Sequence, residues 1–257
     1  MLVVGHRGAP ERAVENSLLS LQIALDQGAS GVEFDVQITA DGEPVLFHDD
    51  ELPRLTGCSG KLGDQTWRQL RLLQQRTPGT EPQRITHLDS VLEWWLGRPG
   101  ASQTAWLNLE LKVPRGAKIP AIEALAHTVG RRIAALPIGH LVVSSFSRRA
   151  LLSLAEAAPD VARGALIDDV PGGDWVALNQ PVANPEISQV HPPWRHLSQT
   201  KLDAWQRLRW PVWAWTVNGE PAWDQLCQWA QMGLIAAAIT DHPGQLARFA
   251  EKNLRAV

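Results

Sequence analysis

Apolar and polar positions along the chain form short β-like runs separated by longer helical stretches. The runs that predict strands are Leu2–Gly5, Gly31–Ile38, Pro44–His48, Trp106–Lys112, Leu141–Phe146, Arg163–Ile167, Ile187–His191, Val212–Val217 and Ile235–Thr240. The stretches that predict helices between most of these strands are Asn16–Gln27, Leu88–Leu96, Ile119–Leu136, Arg148–Ala157, Thr200–Leu208 and Pro221–Met232. Strands that alternate with helices in this way indicate a parallel α/β fold.

The predicted strands number nine, one more than an eight-stranded barrel needs. The linker between Gly31–Ile38 and Pro44–His48 contains Asp41-Gly42, which is a strong hairpin signal between two β runs. It is too short for the crossover that a parallel pair requires. We therefore expect Pro44–His48 to run antiparallel and to bring His48 back toward the carboxyl rim. The other eight strands can then close a (β/α)8 barrel.

The length of 257 residues fits one such barrel, so we expect a single domain over residues 1–257. Residues 50–87 interrupt the strand–helix rhythm, with a short helical piece predicted at Thr66–Gln74. We interpret this segment as an insertion near the carboxyl face of the barrel. Two roles stay open for it: it shapes the mouth of the active site, or it is a neutral decoration.

Charged side chains at the carboxyl ends of the predicted strands are the main functional signal, because barrel enzymes place their chemistry there. Glu33 and Asp35 are two residues apart in one strand, so both side chains point inward, and Glu110 and Lys112 share this spacing. Buried carboxylates need partners or a metal ion. Oxygen-only ligands favour Mg²⁺ or Ca²⁺ over Zn²⁺. The alternative is a set of buried salt bridges with Arg7 or Lys112.

Two histidines, His6 and His48, are expected at the same rim. Histidine titrates near neutral pH, so such a pair can supply the base and the acid that phosphodiester cleavage needs. Arg7 and Lys112 can neutralise the nonbridging phosphate oxygens. We also include His191 among the candidate substrate-binding residues, because it ends a predicted strand.

Charge and cysteine content exclude some classes of function. The net charge of −3 and the lack of a long basic run argue against a nucleic-acid partner. Cys58 and Cys227 are far apart, with no CxxC pair, which disfavours a disulfide framework or a zinc site. No signal peptide and no apolar run of about 18 residues is found, so we expect a cytoplasmic protein without stable membrane association.

A set of short motifs follows one another in order along nearly the whole chain. They read His6-Arg7-Gly8, Glu15-Asn16-Ser17, Glu33-Phe34-Asp35-Val36, Thr39-x-Asp41-Gly42, His48-Asp49-x-x-Leu52, Asn108-Leu109-Glu110-Leu111-Lys112, Ser145-Phe146, Trp215-Thr216-Val217-Asn218 and Thr240-Asp241-His242-Pro243. The set resembles the glycerophosphodiester phosphodiesterases, and most closely their short cytosolic bacterial members. Each motif alone is weak, but the ordered set is highly specific.

This resemblance implies a distorted barrel that hydrolyses a small glycerophosphodiester to sn-glycerol 3-phosphate and an alcohol. It also implies the following roles: Glu33, Asp35 and Glu110 as ligands of a divalent cation, His6 and His48 as general acid and base, Arg7 and Lys112 as phosphate contacts, and Phe146 and Trp215 as pocket walls. The chain departs from the family pattern at Val14, where proline is usual, and at Ser17, which replaces threonine but keeps a hydroxyl.

Two other functions stay open at this point. One is a lysophospholipase D or another phospholipase C-like phosphodiesterase of the same superfamily, although residues 50–87 lack the apolar character expected of a lipid-binding loop. The other is a non-catalytic binding barrel, because a fold does not by itself confer a function. The sequence also leaves open the headgroup, the choice of Mg²⁺ or Ca²⁺, the assignment of acid and base, and the oligomeric state. It does not decide between direct attack by water and a cyclic phosphate intermediate.

Overall fold

The computed structural model describes residues 1–98, 104–168 and 186–254. Its strands are β1 (Leu2–Gly5), β2 (Gly31–Ile38), β3 (Pro44–Leu46), β4 (Gln74–Gln75), β5 (Gln83–Arg84), β6 (Thr86–His87), β7 (Trp106–Leu111), β8 (Leu141–Ser145), β9 (Ala162–Leu166), β10 (Gln189–His191), β11 (Trp213–Ala214) and β12 (Ala237–Thr240). Its α-helices are α1 (Leu18–Asp26), α2 (Pro53–Thr56), α3 (Trp67–Leu70), α4 (Leu88–Leu96), α5 (Ile119–Ile133), α6 (Arg148–Ala157), α7 (Gln199–Arg207), α8 (Glu220–Gln231) and α9 (Pro243–Leu254).

Eight parallel strands form the barrel in the order β1, β2, β7, β8, β9, β10, β11 and β12, and β12 pairs back with β1. The junction between β10 and β11 is held by two isolated bridges, Val190 with Val212 and Pro193 with Trp215. The barrel is therefore nearly closed, and the predicted (β/α)8 fold is confirmed. All eight carboxyl ends lie at one rim, which sets the position of the site.

Serine caps begin three of the surrounding helices. Ser17, Ser147 and Ser198 each accept a hydrogen bond from a backbone N–H in the first turn of α1, α6 and α7. Such caps satisfy amide groups that have no partner within the helix. Ser17 thus keeps the capping function of a hydroxyl at this position. Among the described residues, none of the helices combines the length and apolar character needed to cross a bilayer.

Apolar packing fills the barrel below the rim and the space between strands and helices. Inside the barrel, Val4, Val142, Trp213, Ala237 and Ile239 form one buried cluster. Larger clusters pack the outer faces of the strands against the helices. The apolar interior leaves polar side chains concentrated at the carboxyl rim, as expected of a barrel enzyme.

The predicted hairpin is present, and it ends earlier than expected. β3 runs antiparallel to β2, with Val36 opposite Leu46, but the strand stops at Leu46, before His48. The buried side-chain amide of Gln37 donates to the carbonyl oxygens of Phe47 and Asp49, at 2.9 and 2.8 Å. Together with the bond from the Phe47 N–H to the Asp35 carbonyl, at 3.2 Å, these bonds hold the backbone on both sides of His48.

The insertion contains more structure than the sequence predicts. The helix expected at Thr66–Gln74 is only α3, and three two-residue strands, β4 to β6, were not predicted. These strands are too short to show a period of two in the sequence. The segment has its own apolar core with Phe47 of the hairpin, formed with Leu52, Leu55, Leu62, Leu70 and Ile85. The final helix, α9, was also not predicted.

Candidate active site

A cavity of about 270 Å³ opens at the carboxyl rim of the barrel. It is lined by eight of the ten predicted site residues: His6, Arg7, Glu33, His48, Glu110, Lys112, Phe146 and Trp215. Asp35 lies beside it and contacts Lys112, whereas His191 is elsewhere. The structure also adds Asn108, Ser144, Leu166, Thr216 and Ile239 to the cavity wall.

Three buried carboxylates meet at the edge of this cavity. Glu33, Asp35 and Glu110 each offer an oxygen, and these oxygens all lie within 4.8 Å of one another. The strand register explains the approach, because Asp35 of β2 lies directly opposite Glu110 of β7, and Glu33 is one pleat below. The inward direction predicted from their spacing is what the structure shows.

The three carboxylates are unequally neutralised. Burial alone would raise the pKa of Asp35, but Lys112 and Arg7 outweigh burial and hold that pKa well below its usual value. Lys112 Nζ lies 3.3 Å from Asp35 Oδ1 and 2.9 Å from Glu110 Oε1. Burial, reinforced by the charge of Asp35, raises the pKa of Glu33 to about 8. Arg7 and Lys112 therefore do not neutralise all three carboxylates.

This trio fits a divalent cation. Glu33 Oε1 is buried and accepts no hydrogen bond within the described part of the chain, whereas Asp35 Oδ1 lies 3.3 Å from Lys112 Nζ. A buried polar atom without a partner is costly, and a cation would supply the missing partner and favour the ionised form of Glu33. The donor set is oxygen only, which suits a hard cation. The trio can hold one such ion.

Arg7 takes an unusual backbone conformation beside the trio. Its φ angle of 53° lies in the left-handed region, which side-chain-bearing residues seldom occupy. Its N–H donates to Glu33 Oε2 at 2.9 Å, and its carbonyl accepts from the hydroxyl of Ser20 at 2.9 Å. Its guanidinium donates to Glu15 and lies 3.1 Å from Asp35. Strain of this kind is often found at functional sites.

His6 is held from the opposite end of the chain. Its Nδ1 lies 2.7 Å from Asp241 Oδ1, and the amide of Asn218 donates to the other oxygen of Asp241 at 2.6 Å. Burial lowers the pKa of His6, but the hydrogen bond to Asp241 and the charge of Glu33 outweigh it, so the pKa lies above its usual value. With Nδ1 occupied, Nε2 is the ring nitrogen left for chemistry.

His48 is held by a second chain of polar contacts. Its Nδ1 lies 2.7 Å from Asp49 Oδ1, and Arg54 of α2 donates to both oxygens of Asp49, at 2.6 and 3.0 Å. Arg54 also donates to both oxygens of Glu15, which in turn accepts from Arg7. Burial lowers the pKa of His48. A single arginine of the insertion, Arg54, is therefore linked to His48 through Asp49 and to Arg7 through Glu15.

Two aromatic side chains form one wall of the cavity. Phe146 and Trp215 meet edge to face, with ring centroids 5.6 Å apart. Trp215 Nε1 donates to the carbonyl of His191 at 2.7 Å, and Lys112 Nζ lies 5.9 Å from the centre of the Phe146 ring. The wall is therefore fixed on one side by a hydrogen bond and faces the cationic group on the other.

The match to a known family extends over nearly the whole of this arrangement. The sequence model of the glycerophosphoryl diester phosphodiesterase family matches residues 6–245, from His6 to beyond Asp241. The chain belongs to the glycerophosphoryl diester phosphodiesterase family. The enzyme class expected from the sequence, a phosphoric diester hydrolase acting on glycerophosphodiesters, is thereby confirmed.

Two solved structures and one further relative are similar to nearly the whole chain. A candidate glycerophosphoryl diester phosphodiesterase of Silicibacter pomeroyi is 26% identical with a TM-score of 0.83, over 98% of this chain and 93% of that one. An Oleispira antarctica phosphodiesterase, solved with the product sn-glycerol-3-phosphate, is 27% identical with a TM-score of 0.77, over 98% and 97%. A glycerophosphodiester phosphodiesterase of Caldanaerobacter subterraneus is 25% identical over 98% of both chains.

His191 does not reach the active-site cavity of this phosphodiesterase. Its ring is fully buried inside the barrel and stacks on Trp213, with centroids 5.3 Å apart and an interplanar angle of 6°. Its Nε2 lies 2.8 Å from the amide of Gln189. The ring fills the space above Gly164, where a Cβ atom would lie 2.6 Å from Nε2. This placement indicates a packing role instead of contact with substrate.

The burial of His191 predicts a specific pH dependence of stability. Burial lowers its pKa in the folded protein to about 3, from its ordinary value of 6.5, so between these values only the unfolded state binds the proton. Stability contributed by the neutral ring is present above about pH 6.5 and is lost as pH falls. The free energy of unfolding should fall between pH 7 and pH 5 in both proteins. We expect this fall to be about 2 kcal/mol smaller in His191→Leu than in wild type. Urea unfolding at both values measures this, and equal losses would contradict it.

The supporting residues Asp241, Asn218, Asp49, Arg54 and Glu15 received no individual role from the sequence. Most of them do fall in the ordered motifs, next to the residues that were selected. The sequence signal for these supporting residues was their position next to a selected histidine or at the end of a predicted strand. It could not show which carboxylate would bind which ring.

The contact with Asp241 gives a direct prediction about catalysis. Asp241→Asn keeps the size of the side chain but removes the charge that orients and stabilises a protonated His6. We expect kcat to fall about 100-fold with little change in KM, because the substrate-binding groups are untouched. Steady-state kinetics measures both constants. Asp224→Asn, on the exposed side of α8, is the matched control. An unchanged kcat for Asp241→Asn would exclude this role.

Proposed function

We propose that the enzyme hydrolyses small glycerophosphodiesters at this cavity, with a divalent cation, Mg²⁺ or Ca²⁺, held by Glu33, Asp35 and Glu110. The products are sn-glycerol 3-phosphate and the alcohol of the headgroup. The observation that carries the proposal is the presence of two carboxylate-anchored histidines and an acidic trio around one cavity. A non-catalytic barrel has no need of both sets.

The two histidines act as the acid and the base. Hydrolysis adds water across one P–O bond, so one proton must leave the attacking oxygen and one must reach the departing alkoxide. His6 and His48 both line the cavity, and each has its Nδ1 engaged by an aspartate. This contact fixes the tautomer of each ring and directs the chemistry to Nε2.

Arg7 and Lys112 bind the phosphate. Both line the cavity, and both already neutralise carboxylates, so they are held in place before the substrate enters. Phe146 and Trp215 provide the apolar wall against the carbon atoms of the substrate. The cation supplies additional positive charge for the phosphoryl oxygens when it is bound. Arg54 links the insertion to the mouth of this site.

The first test is release of sn-glycerol 3-phosphate from glycerophosphocholine and from glycerophosphoethanolamine. The reactions are run with Mg²⁺, with Ca²⁺ and with EDTA, using lysophosphatidylcholine as a parallel substrate. We expect release from the two glycerophosphodiesters that EDTA abolishes and that one cation restores. Phosphorus-31 NMR during turnover shows whether a cyclic phosphate forms.

Two results would replace the proposal. Cleavage of lysophosphatidylcholine in preference to both water-soluble diesters would identify a lysophospholipase D. Folded protein that cleaves nothing, with either cation, would identify a binding barrel. Activity that persists unchanged in EDTA would remove the cation from the proposal and leave the hydrolase.

A further inference from the structure

Asn108 is a buried amide in the wall of the active-site cavity, with no role assigned so far. It belongs to β7, lies directly opposite Glu33 on β2, and is one pleat deeper in the barrel than Glu110. Only 1% of its surface is exposed, yet it lines the cavity. A buried amide at this position needs partners for both its oxygen and its nitrogen.

The oxygen has a partner and the nitrogen does not. Ser144 of β8 donates its hydroxyl proton to Asn108 Oδ1 at 2.9 Å, which fixes the orientation of the amide. Asn108 Nδ2 has no hydrogen-bond partner among the described residues. The amide therefore presents an unused donor in a cavity that is built to bind a ligand.

The chemistry of this donor limits what it can bind. An amide N–H cannot coordinate a cation, so Asn108 needs an oxygen acceptor. The cationic groups suited to phosphate, Arg7 and Lys112, lie at the rim, whereas Asn108 lies two pleats below Lys112 and opposite Glu33. The amide carries no charge and lies below the cationic groups, so it is suited to an uncharged oxygen of the ligand.

Ser144 completes the pattern expected for a hydroxyl group. Its proton is used by Asn108, so its oxygen keeps lone pairs that can accept a further bond. It also lines the cavity. Asn108 Nδ2 and Ser144 Oγ thus offer one donor and one acceptor side by side, and a hydroxyl group both accepts and donates.

We propose that Asn108, with Ser144, binds a hydroxyl group of the substrate's glycerol moiety and so selects glycerol-containing phosphodiesters. Asn108 Nδ2 donates to the hydroxyl oxygen, and the hydroxyl proton is donated to Ser144 Oγ. The phosphate remains at the rim with Arg7 and Lys112. The inference rests on the proposed glycerophosphodiesterase function and names a specificity determinant of that same site.

The test combines a variant with substrates that lack one hydroxyl group. Wild type and Asn108→Leu are compared on glycerophosphocholine and on its two analogues in which propane-1,2-diol or propane-1,3-diol replaces glycerol. We expect Asn108→Leu to lower kcat/KM for glycerophosphocholine about 10- to 100-fold, because a lost partner leaves buried polar groups unsatisfied. For wild type, one analogue should have a kcat/KM lower than that of glycerophosphocholine by a similar factor. For Asn108→Leu, kcat/KM should be the same for this analogue and for glycerophosphocholine.

Binding provides a readout that does not depend on turnover. Calorimetry with sn-glycerol 3-phosphate and with inorganic phosphate is expected to show weaker binding of the first to Asn108→Leu, and equal binding of the second. Circular dichroism and thermal unfolding establish that the variant is folded. If it is not, Ser144→Ala is taken through the same substrates and ligands; it removes the acceptor for the substrate hydroxyl and the hydrogen bond that orients the Asn108 amide.

The outcomes separate this inference from the function on which it rests. Wild type that cleaves none of the diesters contradicts the proposed function itself. Wild-type activity with an unaffected Asn108→Leu overturns the inference alone. So does an equal loss on glycerophosphocholine and on both analogues, or weakened binding of inorganic phosphate, because these results place Asn108 at the phosphate or the acidic trio.

Discussion

His6→Ala and His48→Ala are each expected to lower kcat for glycerophosphocholine about 100- to 10,000-fold, which is the usual contribution of a general acid or base. Each ring lines the cavity and is held at Nδ1 by an aspartate. When one of the two histidines is removed, the remaining one cannot carry out both proton transfers. Release of sn-glycerol 3-phosphate at saturating substrate measures the loss. His127→Ala, on α5 outside the cavity, controls for the removal of an imidazole.

A substrate with a better leaving group assigns the two roles. p-Nitrophenolate leaves without protonation, so the variant that lacks the general acid should recover most of its lost rate on glycerophospho-p-nitrophenol. The variant that lacks the general base should remain slow on both substrates. Near-normal turnover of either alanine variant on glycerophosphocholine removes that histidine from the mechanism.

Glu110→Gln is expected to weaken the affinity for the activating cation about 100-fold, since affinity for hard cations depends on the number of charged oxygen ligands. Glu110 is buried and lies within 4.8 Å of the other two carboxylates, so its amide replacement keeps the shape but removes one charge. Calorimetric titration with Mg²⁺ and Ca²⁺ measures the change directly. The cation concentration for half-maximal activity should rise in parallel.

Glu110→Gln also removes the ion pair between Glu110 and Lys112, whose charged atoms lie 2.9 Å apart. Glu81→Gln, on the exposed surface of the insertion, is the matched control for loss of a glutamate charge. Thermal unfolding without cation separates a loss of fold from a loss of ligand. Unchanged cation affinity in Glu110→Gln would show that the trio is a salt-bridge cluster with Arg7 and Lys112, the alternative that the sequence left open.

Local sequence was enough for the eight barrel strands, for most of the surrounding helices and for the direction of the carboxylates. The alternation of β and helical runs predicted the barrel because each element is defined by short-range periodicity. Glu33 and Asp35 face inward because side chains in a strand alternate with a period of two. The short Asp-Gly linker between β2 and β3 excluded a parallel crossover, so the return of His48 to the rim was also predictable.

Contacts between distant parts of the chain were decided only in the folded structure. Asp241 holds His6 across 235 positions, and Arg54 holds Glu15 across 39. His191 ends a strand as predicted, but Gly164 leaves it a space inside the barrel and Trp213 covers it. The sequence by itself determined the fold and the main chemical groups, because periodicity and residue type are local. The partner of each carboxylate, and the free amide of Asn108, depend on strand register and depth, which exist only once the barrel has closed.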